Sequence, residues 1–234
     1  MNNSRIKLSI VLPVFNEEKT LQILYVRIKK MLEAFSGESE LIFIDDGSCD
    51  GSYDILKGLA GADKRVRVFR FNSNEGQCKA LEKGFREARG EIIAQIDADL
   101  QTDPQDILRL VLKLNDGFDL VCGWRWRRRD PWHKVLKSQM GNYVQRRITK
   151  INLHDISCPL KVYRKTIVKG ITFQNRYDIF FLPLIFSKHT DKMAEVKIEH
   201  HPRCFGKSKY GFISTCLGVM RNYLRLIVSN GLND

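Results

Sequence analysis

No Cys-x-x-Cys pair occurs in the chain; its six cysteines, at 49, 78, 122, 158, 204 and 216, are scattered. That spacing argues against a zinc site and a disulfide scaffold, and it suits a reducing cytosol. Long apolar runs are missing too. The stretch Phe180–Phe186, which Ile179 extends to eight residues, contains Pro183 and falls far short of the roughly twenty that a membrane-crossing helix needs. Met1–Lys7 leads straight into a strand-like stretch and lacks the apolar core of a signal peptide. A cytosolic protein, or one peripheral to a membrane, is therefore expected. Repeats, low-complexity tracts and flexible linkers are absent. Two phosphate-binding motifs are missing as well. Gly206-Lys207-Ser208 resembles the end of a P-loop, but His201 stands where the upstream glycine belongs. No G-x-G-x-x-G follows the first strand-like run, so dinucleotide binding has no support.

What is present is basic. Lys and Arg number 39 against 27 Asp and Glu, a net charge of +12 over 234 residues. That excess is more than solubility needs. It points to an anionic partner: nucleic acid, a phosphorylated small molecule or an anionic membrane. Hydrophobic residues at 43% and charged residues at 28% are globular values that exclude disorder, collagen and coiled coil. The length suits one large α/β domain with appendages.

The first half alternates. Apolar runs at Leu8–Val14, Leu41–Ile44, Val66–Phe71, Ile92–Ile96 and Phe118–Cys122 read as strands covered on both faces. Between them, Glu18–Phe35, Tyr53–Leu59, Gly76–Arg89 and a segment from Asp103-Pro104 to Asn115 carry a helical period. Asp103 is expected to cap the last of these, with Pro104 at its first position. Such alternation predicts a mainly parallel central sheet flanked by helices. Beyond Gly123 the pattern changes. Trp124–Lys137 holds six basic residues and all three tryptophans. Cys158–Arg164 and Ala194–His200 look like added strands, and Ile213–Val228 like a terminal helix with an apolar stripe. Three parts are expected: 1–123, 124–212 as an extension of the same domain, and 213–234 as an amphipathic helix.

Ile96-Asp97-Ala98-Asp99-Leu100-Gln101 follows the fourth strand. In extended chain, residues two apart share a face. Asp97, Asp99 and Gln101 then present three oxygens together, where open α/β sheets bind their ligands. Clustered acids there call for a cation, and Mg²⁺ or Mn²⁺ bridging a diphosphate fits hard oxygen donors. The bland alternative is loop acids beside the Pro104 helix. Asp45-Asp46-Gly47-Ser48 ends the second strand in the same way. Its acids can accept hydrogen bonds from a base or a ribose, or simply form an Asp-Gly turn.

The motifs Val11-Leu12-Pro13-Val14-Phe15-Asn16-Glu17-Glu18, Asp45-Asp46-Gly47-Ser48, Asn74-Glu75-Gly76-Gln77, Asp97–Gln101, Gly123-x-Arg125 and Phe205–Tyr210 together resemble family 2 glycosyltransferases of GT-A (Rossmann-like) fold. Within that family the chain is similar to the polyprenyl-phosphate sugar transferases, the type of dolichyl-phosphate mannose synthase and the bacterial undecaprenyl-phosphate glucose and aminoarabinose transferases. The resemblance implies that Pro13, Phe15, Glu17, Asp45 and Asp46 surround the nucleoside, that Asp97 lies near sugar and ribose, and that Asp99 and Gln101 hold the metal. It places Arg125, Arg203 and Lys209 around donor and acceptor phosphates, with Asp97, Asp99, Arg125 and Lys209 as the catalytic set. Many relatives carry membrane helices after the catalytic domain, and no such stretch is seen here; attachment through the surface or a membrane partner protein, or homo-oligomerisation, is the expectation.

A lipid phosphate is already anionic and needs no general base. The expected reaction is an inverting displacement from a nucleotide-diphosphate sugar, with UDP favoured over GDP, onto a polyprenyl phosphate at the inner face of the membrane. The Trp/Arg segment is read as a contact with anionic lipid, or as a charged loop with inward tryptophans. Transfer to a soluble or glycan hydroxyl is the alternative enzyme. A basic nucleic-acid-binding protein is the alternative from another class, disfavoured because the acidic cluster would repel a phosphate backbone, so no nucleic-acid partner is expected.

Overall fold

A computed structural model of the protein describes residues 6–127, 146, 151–203, 221, 222 and 225. Its first half runs β1 (Leu8–Val14), α1 (Leu21–Glu33), β2 (Ser39–Asp45), α2 (Ser52–Ala62), β3 (Val66–Arg70), α3 (Gln77–Glu87), β4 (Ile92–Gln95) and α4 (Asp106–Asn115). These follow the expected alternation. β5 (Leu120–Arg127) is longer than its apolar run, because Trp124 to Arg127 continue the ladder against β7 (Met193–Glu199). β6 (Lys161–Arg164) and a short α5 (Lys165–Val168) precede β7, as do a 3₁₀ turn (Asp178–Phe181) and α6 (Leu182–Phe186).

Among the described residues one seven-stranded sheet has the order β3-β2-β1-β4-β6-β5-β7. β1 pairs in parallel with both β2 and β4, and β2 with β3. The sheet is not wholly parallel. β6 inserts antiparallel between β4 and β5, which a chain-order reading of alternating elements does not reveal. The order reverses at β1, so loops after β1 and β4 diverge and leave a crevice between their carboxyl ends.

Strand side chains alternate between two cores. Leu8, Ile10, Leu12 and Val14 of β1 face α1, α2 and α4; Val11 faces α3. The apolar run Phe180–Phe186 is absorbed in the second core, where Phe181, Leu182, Leu184 and Phe186 are buried beside Tyr163 and Phe85. Its hydrophobicity thus covers the sheet. Among the described residues no helix is long and apolar enough to cross a membrane. The predicted helix Ile213–Val228 lies almost wholly outside the described residues. Within it Arg221, Asn222 and Arg225 are helical, and Asn222 (1% exposed) and Arg225 both donate to buried Asp178, at 2.9 and 2.6 Å.

Candidate active site

The loops leaving the carboxyl ends of β1 and β2 are laced together. Asn16, in left-handed backbone at φ 53°, gives its N–H to Ser48 Oγ at 2.9 Å and takes that of Cys49 on Oδ1 at 2.8 Å. Glu17 N–H donates to Ser52 Oγ at 2.8 Å, and Glu18 Oε2 accepts from Gly51 N–H at 2.9 Å. Gly47 has φ 70°, and a Cβ there would lie 2.6 Å from the Ser73 carbonyl carbon. Only glycine permits both that backbone and that approach.

Asp46 is buried, and its carboxylate clasps the entry to α3. It accepts from Asn74 Nδ2 at 3.0 Å, Glu75 N–H at 2.7 Å and Gly76 N–H at 3.0 Å. Burial raises its pKa, and the two backbone donors work against that rise. Asp45 is fully buried, 3.1 Å from Arg70 Nε. Pro13 and Phe15 are half-buried at the end of β1, and Glu17 is buried just beyond them.

The segment 96–101 does not stay extended. β4 stops at Gln95, Ile96 still gives its N–H to the Val11 carbonyl at 3.2 Å, and the chain turns from Ala98, with Leu100 at φ 62°. The two-residue spacing therefore does not set Asp97, Asp99 and Gln101 on one face of a strand; a turn gathers them instead. Asp97 Oδ1 accepts from Gln77 Nε2 at 2.7 Å. Asp99 Oδ1 accepts Gln101 N–H at 3.1 Å, and Asp99 Oδ2 takes Arg203 Nη2 at 2.7 Å. The chain after β7 is bound to the same turn: His201 N–H donates to the Gln101 carbonyl at 2.9 Å. Asp103 accepts Gln105 N–H at 2.9 Å, but helical structure begins only at Asp106. The expected cap thus holds an entering turn, not the first turn of α4.

Burial pushes Asp97 up to about 7, and the neighbouring Asp99 carboxylate adds to this, while Lys161 and Arg203 oppose it. Sequence reasoning missed Lys161. It lies on β6 opposite Gln95, is 1% exposed, and donates its ammonium to the Cys158 carbonyl. A lysine inside the apolar run Cys158–Val162 was the available signal. Gln77 stood in a noted motif without a role.

Arg125, near the end of β5, is committed to Asp155. Nε and Nη2 reach its two oxygens at 2.6 and 2.8 Å, and the guanidinium side chain is 9% exposed. Trp124 stacks on His154 at 4.0 Å, and Lys197 lies 3.9 Å over Trp126, which is 53% exposed. Lys209, with the rest of 204–210, and residues 128–137 of the Trp/Arg segment lie outside the described residues.

A divalent cation fits this donor set. Among the described residues no three His, Cys, Asp or Glu side chains converge to hold a metal alone. Two carboxylates and an amide within five residues, one carboxylate burdened by the other's charge, suit a hard ion that completes its shell with phosphate and water.

Residues 9–172 match the profile of Glycosyl transferase family 2. The chain is 36% identical over 217 residues to the undecaprenyl-phosphate 4-deoxy-4-formamido-L-arabinose transferase of Aeromonas hydrophila, covering 91% of this chain and 66% of that protein. It is 35% identical to the dodecaprenyl-phosphate galacturonate synthase of Rhizobium johnstonii, covering 90% of this chain and 63% of that one. The chain thus spans just under two thirds of these relatives' lengths. Among solved structures, glucosyl-3-phosphoglycerate synthase from Mycobacterium tuberculosis, crystallised with Mn²⁺, UDP-glucose and phosphoglyceric acid, superposes with a TM-score of 0.72 at 19% identity, over 98% of this chain and 81% of that one. The seven-stranded sheet, its switch point and the family profile agree: the chain has the GT-A fold and belongs to the family 2 glycosyl transferases.

Proposed function

We propose that the protein is a metal-dependent, inverting glycosyltransferase. It moves a sugar from a nucleotide-diphosphate sugar, UDP rather than GDP, to a polyprenyl phosphate at the cytoplasmic face of the membrane. The reading is carried by the acidic turn Asp97–Gln101 at the β1/β4 crevice, in a chain whose similarity to polyprenyl-phosphate transferases covers about nine tenths of its length. A protein of the same fold binds Mn²⁺ and UDP-glucose, which supports the choice of ligand.

In this reading Pro13, Phe15, Glu17, Asp45 and the Asp46 clasp shape the nucleoside site. Asp97, held by Gln77, faces the sugar and ribose. Asp99 and the Gln101 amide oxygen would hold Mg²⁺ or Mn²⁺, which when bound supplies positive charge against the donor diphosphate. The acceptor's phosphate oxygen is already a nucleophile, so its attack on the anomeric carbon needs no proton removed. What the protein must offset is the repulsion between two anions. Arg203 and Lys209 supply cations for that purpose. Arg125, fixed bidentately on Asp155, contributes its charge from a set position. The 1–123 half would bind the donor and 124–212 the acceptor and membrane, with 213–234 as a further contact.

The test is sugar transfer from a panel of UDP- and GDP-sugars to a short polyprenyl phosphate, with Mg²⁺ or Mn²⁺ and then with chelator. Transfer only to soluble hydroxyl acceptors would overturn the acceptor assignment, and full activity in chelator would overturn the metal.

A further inference from the structure

We propose that Arg203 and the divalent cation compete for one oxygen of Asp99, so that Arg203 acts as an internal cation that metal binding exchanges out. This rests on the reading of Asp99 as a metal ligand. Both oxygens of Asp99 are engaged. Oδ1 accepts the N–H of Gln101 within its own turn at 3.1 Å, and Oδ2 takes the guanidinium at 2.7 Å. The carboxylate is 8% exposed and the guanidinium side chain 24%. A charge-assisted contact so shielded from water is stronger than an exposed pair. A metal ion bound at Oδ2 would stand against a second cation on the same atom, at a depth where little water screens them. Each weakens the other's hold on that oxygen.

Displaced, Arg203 would not travel far. Two residues earlier, His201 gives its N–H to the Gln101 carbonyl at 2.9 Å. The Gln101 amide nitrogen points to the His201 carbonyl at 3.5 Å, which leaves the amide oxygen for the metal. The backbone of the 200–203 strap is thus tied to the metal turn by contacts that do not involve the guanidinium. Arg203 would remain beside the ion, with the donor diphosphate as the nearest new anion, and a planar guanidinium suits phosphate oxygens. Metal and nucleotide then help each other: the metal frees the arginine, and the diphosphate gives it a place to go. Such coupling is reciprocal between the two ligands.

The experiment measures Mn²⁺ binding to the whole chain by the loss of the free-ion EPR signal, with and without saturating UDP. Without UDP, Arg203→Gln is expected to bind Mn²⁺ about tenfold more tightly than the wild type, the scale of one charge-assisted contact no longer to be broken. Arg203→Lys, which keeps the competitor, should stay near the wild type. UDP should tighten Mn²⁺ binding in the wild type more than in Arg203→Gln. Arg203→Met provides a second neutral side chain, and thermal melting checks that each variant is folded. Equal or weaker Mn²⁺ binding by both neutral variants would overturn the exchange. Asp99→Asn separates the two failures. If it loses Mn²⁺ while the Arg203 variants match the wild type, only the exchange falls. If it binds Mn²⁺ like the wild type, the metal assignment falls and the exchange with it.

Discussion

Asp99 and Asp97 stand two residues apart and carry different loads. Asp99 is paired with a guanidinium, whereas Asp97 is held by a neutral amide and pushed up to about 7 by burial and its neighbour. Asp99→Asn removes a charged oxygen ligand but keeps the side chain's shape. It should cut transfer in Mg²⁺ by more than about a hundredfold, two steps of 1.4 kcal/mol in the barrier, while the chain still melts as a folded protein. Calorimetry of UDP with Mn²⁺ should show the same loss, and near-normal turnover would remove Asp99 from the metal site. Another carboxylate, Asp63, contributes to stability on the acid side. Arg65 holds Asp63 down to about 2, and Tyr25 Oη donates to the same carboxylate at 3.0 Å. In the unfolded chain that group titrates near about 4. Its contribution is therefore complete above about pH 4 and lost as pH falls toward about 2. Asp63→Asn should lower the urea midpoint at pH 6 by the equivalent of about 1 kcal/mol. The two curves should converge near pH 2; a constant gap across that window would mean that the loss is one of packing.

At the scale of elements, Gly84 lets α3 lie close against β1. A Cβ on Gly84 would lie 2.2 Å from Val11 Cγ1, and Val11 is fully buried in the middle of its strand. Gly84→Ala would gain about 1 kcal/mol of helix propensity. Against that, overpacking a filled core costs about 1–3 kcal/mol, and the valine has no open space to turn into. The clash wins, and the variant should unfold at lower urea than the wild type. An unchanged or higher midpoint would show that α3 can lift off the sheet, and since its N-terminal Gln77 holds Asp97, transfer rates should then change as well. The loops at the sheet edge follow the same logic. Asp46 binds the 74–76 backbone and Gly47 lets Ser73 come close, so the β2 loop and the α3 entry form one unit.

At the scale of the whole molecule the chain carries a net charge of +12, and at the β5–β7 end of the sheet Trp124 stacks on His154, meets Trp126 edge-on, and lies with it under the Lys197 ammonium. Indole and cation together suit the headgroup zone of a bilayer. Vesicles rich in phosphatidylglycerol should sediment the protein at low salt and release it as salt rises, since each basic residue near the surface contributes about 1 kcal/mol and is screened. Replacing Arg127, Arg128 and Arg129 together by Ser should weaken that sedimentation several-fold. Unchanged binding would move the contact to the 213–234 segment or to a partner protein.

The strand–helix alternation was legible through Asn115 because continuous apolar runs and 3.6-residue periods are local signals. Asp97, Asp99 and Gln101 were legible as a cluster because they are neighbours in the chain. Their arrangement was not. A left-handed Leu100 and a turn replaced the extended face, and a guanidinium 104 residues away chose which carboxylate oxygen to cover. The antiparallel insertion of β6, the burial of Lys161 behind Asp97 and the commitment of Arg125 to Asp155 belong to the same class. Each is a pairing between segments distant in sequence. Periodicity and composition determine which faces must be buried, but only closure of the sheet decides which charges meet there.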